Sequence, residues 1–298
     1  MNFRKIQTNI IIETVVFLCI VGHLTPIIVN GQYQTPNNQC GGRFRTVNGT
    51  IDFHYNTETN PDPDMKKVCV WTIIPYPFQR YIEVTVDSSS LTCNANNDRL
   101  GFTWLNESSS AKPVTQASTC EPIHIKNEGS VLIVVLISES SKQNTGFKLT
   151  WRGTGFYSRI RFVTAYNSYG KPSVQPIPYF GAGFIGNSLS TFAFPTGNRT
   201  DGHTMEMIIS PVKLQTDIYT DCPGLGRGDW INKECSLLMV FLIENDGTLK
   251  VHSTFTDSTS DYTELRNENG FYMVFWGGNR YAATGGGSLM LNYTSIRN

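Results

Sequence analysis

The sequence predicts an all-β protein made of two antiparallel β-sandwiches in tandem, and three observations carry that expectation. Short apolar or alternating runs recur along the chain between clusters of Gly, Asn, Asp and Pro, the rhythm of strands and turns. Charged residues make up only 16% of the chain, a composition that suits extracellular β-structure with long polar loops. At 298 residues the chain has room for two domains of ordinary size, each with its own core.

In chain order, Arg4 and Lys5 precede an apolar run from Ile10 to Gly22, and small residues follow at Val29-Asn-Gly31. This is the layout of a secretory signal peptide over residues 1–31, cleaved after Gly31. The unbroken apolar stretch is shorter than the roughly 20 residues a spanning helix needs. Removal of 1–31 lowers Lys+Arg from 24 to 22 and Asp+Glu from 24 to 23. A mature net charge of about −1 argues against general nucleic-acid or anionic-membrane binding.

The stretch from Cys69 to Cys93 organises the first half. Cys69-Val-Trp71-Thr-Ile73 is followed, past Pro75 and Pro77, by Ile82, Val84 and Val86 alternating with Tyr81, Glu83 and Thr85. The second run has the period of a strand with one buried face. With prolines marking the turn, the two runs are expected to pair as a meander. Trp71 beside Cys69 gives the core a large anchor. From Val131 to Ile137 both alternating sets are apolar, which predicts a central strand covered on both sides. Gly146-Phe-Lys-Leu-Thr-Trp151 ends this half, and Arg152-Gly-Thr-Gly155 reads as a linker.

Strand signals resume at Ile160 and Phe162, where the alternation breaks at Val163. They continue at Met205–Ile209, Leu237–Ile243, Leu249–Phe255, Phe271–Trp276 and Ser288–Tyr293. Asn245-Asp246-Gly247-Thr248 between two apolar runs is a hairpin signal. The Pro- and Gly-rich region from Gly170 to Gly202 reads as a long loop or extra hairpin. Phe271–Trp276, apolar on both alternating faces, is expected in the core rather than as an exposed recognition stripe.

Seven cysteines are present, with Cys19 inside the leader. The remaining even number fits disulfides in an oxidising compartment. Spacing alone does not choose among the pairings, although chain order points to Cys40 with Cys69, Cys93 with Cys120, and Cys222 with Cys235. Sequons begin at Asn48, Asn106, Asn198 and Asn292, each open to glycan addition if exposed.

Residues 40–152 resemble the CUB domain, an extracellular jelly-roll-like β-sandwich. The resemblance rests on Cys40-Gly-Gly, Gly49-x-Ile51, Cys69-x-Trp71-x-Ile73 with Pro75, Cys93 followed by Asp98-x-Leu100, Cys120, and Gly146-Phe147-x-Leu149. It implies disulfides joining the first cysteine to the second and the third to the fourth. Residues 155–298 resemble a divergent second copy through Ile208-Ile-Ser-Pro211, the Cys222 to Cys235 loop and Leu289-x-Leu291, without the first cysteine pair or the Cys-x-Trp element. Many members of the family hold calcium between loops, which maps onto Tyr55, Asp98 and Glu139. Asp98 stands five residues after Cys93 rather than three, and Ser88-Ser-Ser replaces the expected glutamate. The loss of one carboxylate weakens a site that needs six to eight oxygens.

Gly181-Ala-Gly183-Phe-Ile-Gly186 has the spelling of a dinucleotide fingerprint but lacks the strand before it and the helix after it that would bring phosphate to a helix N-terminus. His54, His124, His203 and His252 are scattered without metal-ligand spacing. The sequence thus points to a secreted, non-enzymatic protein that recognises an extracellular protein or glycan through its sandwich loops. It requires no cofactor, with calcium as the candidate ion. One alternative is a self-associating matrix component. Another is an accessory chain of an extracellular hydrolase, whose catalytic cluster would lie between Arg152 and Asn298.

Overall fold

The computed structural model describes residues 40–54, 66–75, 79–89, 98–105, 114–117, 122–138, 146–156, 162–167, 173–177, 188–196, 198–199, 203–210, 237–255, 260–276 and 289–297. Gln32–Asn298 forms one compact unit. Its described residues are strands and their turns.

In the first half the strands are β1 (Gly42–Phe44), β2 (Asn48–His54), β3 (Lys66–Ile73), β4 (Gln79–Ser89), β5 (Arg99–Leu105), β6 (Val114–Ala117), β7 (Ile123–Glu128), β8 (Val131–Ser138) and β9 (Gly146–Phe156). In the second half they are β10 (Phe162–Asn167), β11 (Ser173–Ile177), β12 (Ser188–Pro195), β13 (Asn198–Arg199), β14 (His203–Ile209), β15 (Leu237–Ile243), β16 (Leu249–Phe255), β17 (Thr263–Asn267), β18 (Gly270–Trp276) and β19 (Leu289–Arg297). Four sheets result. The first outer sheet has the order β2-β9-β4-β7 and the first inner sheet β1-β3-β8-β5-β6. The second inner sheet runs β10-β12-β18-β15-β16 and the second outer sheet β11-β19-β14-β17.

The two halves have the same topology. Replacing β1 to β9 in order by β10, β11, β12, β14, β15, β16, β17, β18 and β19 turns the first pair of sheets into the second. Even the exceptional parallel pair recurs, β1 with β3 and β10 with β12. Among the described strands only β13 has no counterpart, and it pairs across the halves, Asn198 with Lys67 and Arg199 with Lys66 of β3.

Three apolar cores stack between the four sheets. The first lies inside the first half and holds Trp71, Trp104, Trp151, Phe53, Phe102 and Phe147. Trp71 meets Phe53 and Phe147 edge-on at centroid distances of 5.5 and 5.4 Å, the arrangement that ring quadrupoles favour. Cys40 and Cys69 form a disulfide at the rim of this core. The core of the second half holds Phe194, Met205, Met207, Phe271, Met273 and Phe275. A third core joins the inner sheets, with Val68, Val70, Ile133 and Val135 from one side and Met239, Phe241, Tyr272 and Val274 from the other.

Strand β8 shows why both of its faces are apolar. Leu132, Val134 and Leu136 enter the first core, while Val131, Ile133, Val135 and Ile137 enter the shared one. Strand β18 divides likewise, so the Phe271 run is core as expected, with Phe271, Met273 and Phe275 facing inward and Tyr272 and Val274 facing the first half. The expected hairpin at Asn245–Thr248 joins β15 to β16. The backbone N–H of Thr248 donates to Asp246 Oδ1 at 2.9 Å, and Gly247 takes φ 81°. That turn abuts Gly101 of β5 so closely that a Cβ on either glycine would strike the other's backbone.

Three sequence expectations change. The runs either side of Pro75 do not pair as a meander: β3 lies in the inner sheet and β4 in the outer one. Alternation identifies a buried face, and two strands can fill one core from opposite sides. Arg152–Gly155 is not a linker, because β9 runs through it to Phe156. Its glycines answer packing, since a Cβ on Gly153 would meet Gln79 and Pro75, and Gly155 has φ 75°. The region from 170 to 202 contains β11, β12 and β13, and β12 is an interior strand. Pro176 fits because β11 is an edge strand, where a missing N–H is tolerated.

Candidate recognition face

The polar face of the first outer sheet is the most organised array of functional side chains among the described residues. Its composition follows from period two. With Ile82, Val84 and Val86 of β4 buried, Tyr81, Glu83 and Thr85 must point outward, and with Leu149 and Trp151 of β9 buried, Lys148, Thr150 and Arg152 must do the same. Strand β7 contributes His124, Lys126 and Glu128, and β2 contributes Asn48, Thr50, Asp52 and His54. Register aligns them in rows across four strands. One row is Asn48, Arg152, Glu83 and Lys126, and the next is Thr50, Thr150, Thr85 and His124.

Within these rows the side chains tie to one another. Imidazole Nε2 of His124 stands 3.1 Å from Glu83 Oε1, and its Nδ1 stands 3.0 Å from Thr85 Oγ1. Arg80 Nε donates to Glu128 Oε1 at 3.2 Å. The Arg80 guanidinium and the Lys126 ammonium lie 5.2 and 5.5 Å from the centroid of the Tyr81 ring, within cation–π range. At the far corner His54 Nε2 lies 2.7 Å from Asp52 Oδ1. Cations, carboxylates, hydroxyls and one aromatic ring thus share one surface.

Hydroxyl, imidazole and carboxylate stand in the order of a nucleophile, base and orienting acid at Thr85, His124 and Glu83. His124 is well exposed, and the backbone of β4 around Thr85 is committed to ladders with β7 and β9 on both sides. The sequence reading missed this group because it overlooked β7. The signal was there in Ile123-His-Ile125-Lys, whose isoleucines pack partly buried against the first core.

Of the expected calcium ligands, Asp98 alone is described. It is buried at the start of β5, and its Oδ1 accepts a hydrogen bond from Ser138 Oγ at 2.6 Å. Tyr55 and Glu139 lie outside the described residues. β2 ends at His54, which pairs with Gly146, and β8 ends at Ser138, opposite Lys67. A calcium site needs six to eight oxygens, and Asp98 is a single carboxylate already hydrogen-bonded to Ser138. No group of three or more metal-ligating side chains occurs among the described residues.

Cys93, Cys120, Cys222 and Cys235 lie outside the described residues, as do Asn106 and Gly181–Gly186. Asn48 is exposed at the start of β2, while Asn198 falls in β13 and Asn292 in β19. No helix of the described residues is long and apolar enough to cross a membrane.

No protein-family model and no curated protein matches this chain. Solved structures that align with it include the CUB1-EGF-CUB2 domains of rat MASP-1, at 11% identity over 85% of this chain and 99% of that one, with a TM-score of 0.29. The CUB1-EGF-CUB2 domain of human MASP-1/3 aligns at 11% identity over 84% of this chain and 100% of that one, also with a TM-score of 0.29. The full extracellular region of zebrafish Gpr126/Adgrg6 aligns at 11% identity over 85% of this chain and 37% of that one, with a TM-score of 0.30.

Proposed function

We propose that this chain is a secreted, non-catalytic recognition protein that binds an extracellular protein or glycan. The observation that carries the reading is the outer face of the first outer sheet, where Arg80, Tyr81, Glu83, His124, Lys126 and Glu128 are held on a rigid sheet by mutual contacts. Side chains fixed before binding lose less rotamer entropy when a partner arrives. The mix of cations, carboxylates and an aromatic ring suits a polar partner that makes directional hydrogen bonds. The Cys40–Cys69 disulfide supports an oxidising, extracytosolic compartment.

The test uses the secreted chain on arrays of extracellular glycans and purified extracellular proteins, beside a variant carrying Tyr81→Ala, His124→Ala and Lys126→Ala. The expected result is a ligand bound by the parent and lost by at least tenfold, about 1.4 kcal/mol, in a variant whose melting temperature is nearly unchanged. Equal binding by both moves recognition away from this face. Concentration-dependent self-association with no captured ligand replaces the reading with a matrix role.

A further inference from the structure

Three tyrosines with described side chains differ sharply in what their phenols can do. Tyr272 is buried, hydrogen-bonded to Thr72 and Thr191, and pushed up to about 12 by desolvation. Tyr81 is half-buried beside Arg80 and Lys126. Tyr262 is 72% exposed, the largest value for any big hydrophobic side chain described. No hydrogen bond, ion pair or ring contact engages Tyr262 among the described residues.

Tyr262 also sits where a modifying enzyme could reach it. It lies in the unpaired stretch between the bend at 260–261 and β17, just beyond the Thr263–Ile209 pair that ends the ladder with β14. Its backbone is outside any strand, so a cleft can close around it without breaking a sheet. An exposed aspartate, Asp261, immediately precedes it, and the carboxylate of Glu264 follows two residues later. Glu264 is shared with Arg266 at 2.9 Å, whereas the one described contact of the Asp261 carboxylate is the hydroxyl of Ser260 at 3.3 Å. Asp261 therefore presents the more available negative charge beside the phenol. The next cation along the chain, Arg266, is paired with Glu206 and Glu264.

We propose that Tyr262 is a site of tyrosine O-sulfation, an inference that rests on the secretory reading above. The phenolic oxygen attacks the sulfur of an activated phosphosulfate donor carried by a sulfotransferase of the secretory pathway. A new oxygen–sulfur bond forms and the bond from sulfur to the bridging phosphate oxygen breaks. The nucleotide phosphate leaves with the electron pair, and a base on the transferase takes the phenolic proton. Acidic flanks steer such a substrate into a basic cleft, because opposite charges accelerate and orient encounter. The product is a permanent negative charge at an exposed tip of the second half, a handle for a partner bearing arginines.

The experiment expresses the full chain in secreting animal cells with radiolabelled sulfate and recovers it from the medium. Enzymatic removal of N-glycans then ensures that sulfated sugars do not contribute. The expected result is label on the parent, complete loss in Tyr262→Phe, a several-fold reduction in Asp261→Asn, and loss on blocking donor synthesis with chlorate. A parent chain that reaches the medium without label overturns the proposal and leaves secretion standing. Label that persists in Tyr262→Phe overturns it, as does labelling by phosphate in place of sulfate. A chain that never reaches the medium, while an established secreted control does, overturns the secretory reading and this proposal with it.

Discussion

Tyr272 is the residue whose chemistry is most altered by the fold. Its hydroxyl lies in the shared core, 3.1 Å from Thr72 Oγ1 of the other half, and burial raises its pKa from 10.0 to about 12. An acid whose folded pKa is raised keeps its proton in the folded state after the unfolded chain has lost it. Stability from this group is therefore fully present below the unfolded pKa and lost as pH rises from about 10 to about 12, by roughly 3 kcal/mol at most. Denaturant titrations across that range should show a fall in the parent and a flatter profile in Tyr272→Phe. At neutral pH the same substitution should cost about 1–2 kcal/mol, because Thr72 and Thr191 lose a partner inside an apolar layer. The neighbouring threonines were visible in the sequence, but nothing there said that positions 72 and 272 meet.

At the scale of the element, β8 divides its side chains between two cores, and each face has a different partner. Leu132 packs in the core of its own half, while Ile133 packs against the second half. Leu132→Ala and Ile133→Ala should therefore each cost about 2–5 kcal/mol, the range for cavity-forming truncations at fully buried sites. Equilibrium unfolding in urea measures both. A surface-like cost for Ile133→Ala, below about 0.5 kcal/mol, would contradict the shared core. The sequence reading predicted β8, β14, β15, β16 and β18 closely, because apolar or alternating runs bounded by turn residues leave little choice of period. It missed β6 and β7, whose polar residues outnumber or equal the apolar ones, and it read a long loop or an extra hairpin where the interior strand β12 lies. Leu189, Phe192 and Phe194 were the available signal there, obscured by the neighbouring prolines and glycines.

At the scale of the whole molecule, Gln32–Asn298 is two copies of one strand topology pressed together through equivalent sheets. Equivalent strands also meet, β3 with β12 and β1 with β10, the pattern of an isologous interface. Each half covers apolar side chains that the other would leave in water. Thermal unfolding of Gln32–Asn298 should therefore be one transition, with equal calorimetric and van't Hoff enthalpies. Two separated transitions would mean that the shared core contributes little. The polar face of the first outer sheet stays outside this arrangement, on a sheet whose other side is already filled.

What the sequence by itself determined was local: which strongly apolar or alternating runs are strands, which face of each is apolar, and where the hairpin at Gly247 turns. These follow from side-chain periodicity and turn chemistry, which act over a few residues. Only the tertiary structure decided which apolar faces meet, since one hydrophobic surface satisfies another without regard to distance along the chain. That is why β3 and β4 proved to face each other across a core rather than pair. It is also why the second apolar face of β8 found its cover in β15 and β18, and why Tyr81, Glu83, His124 and Lys126 gather on one sheet.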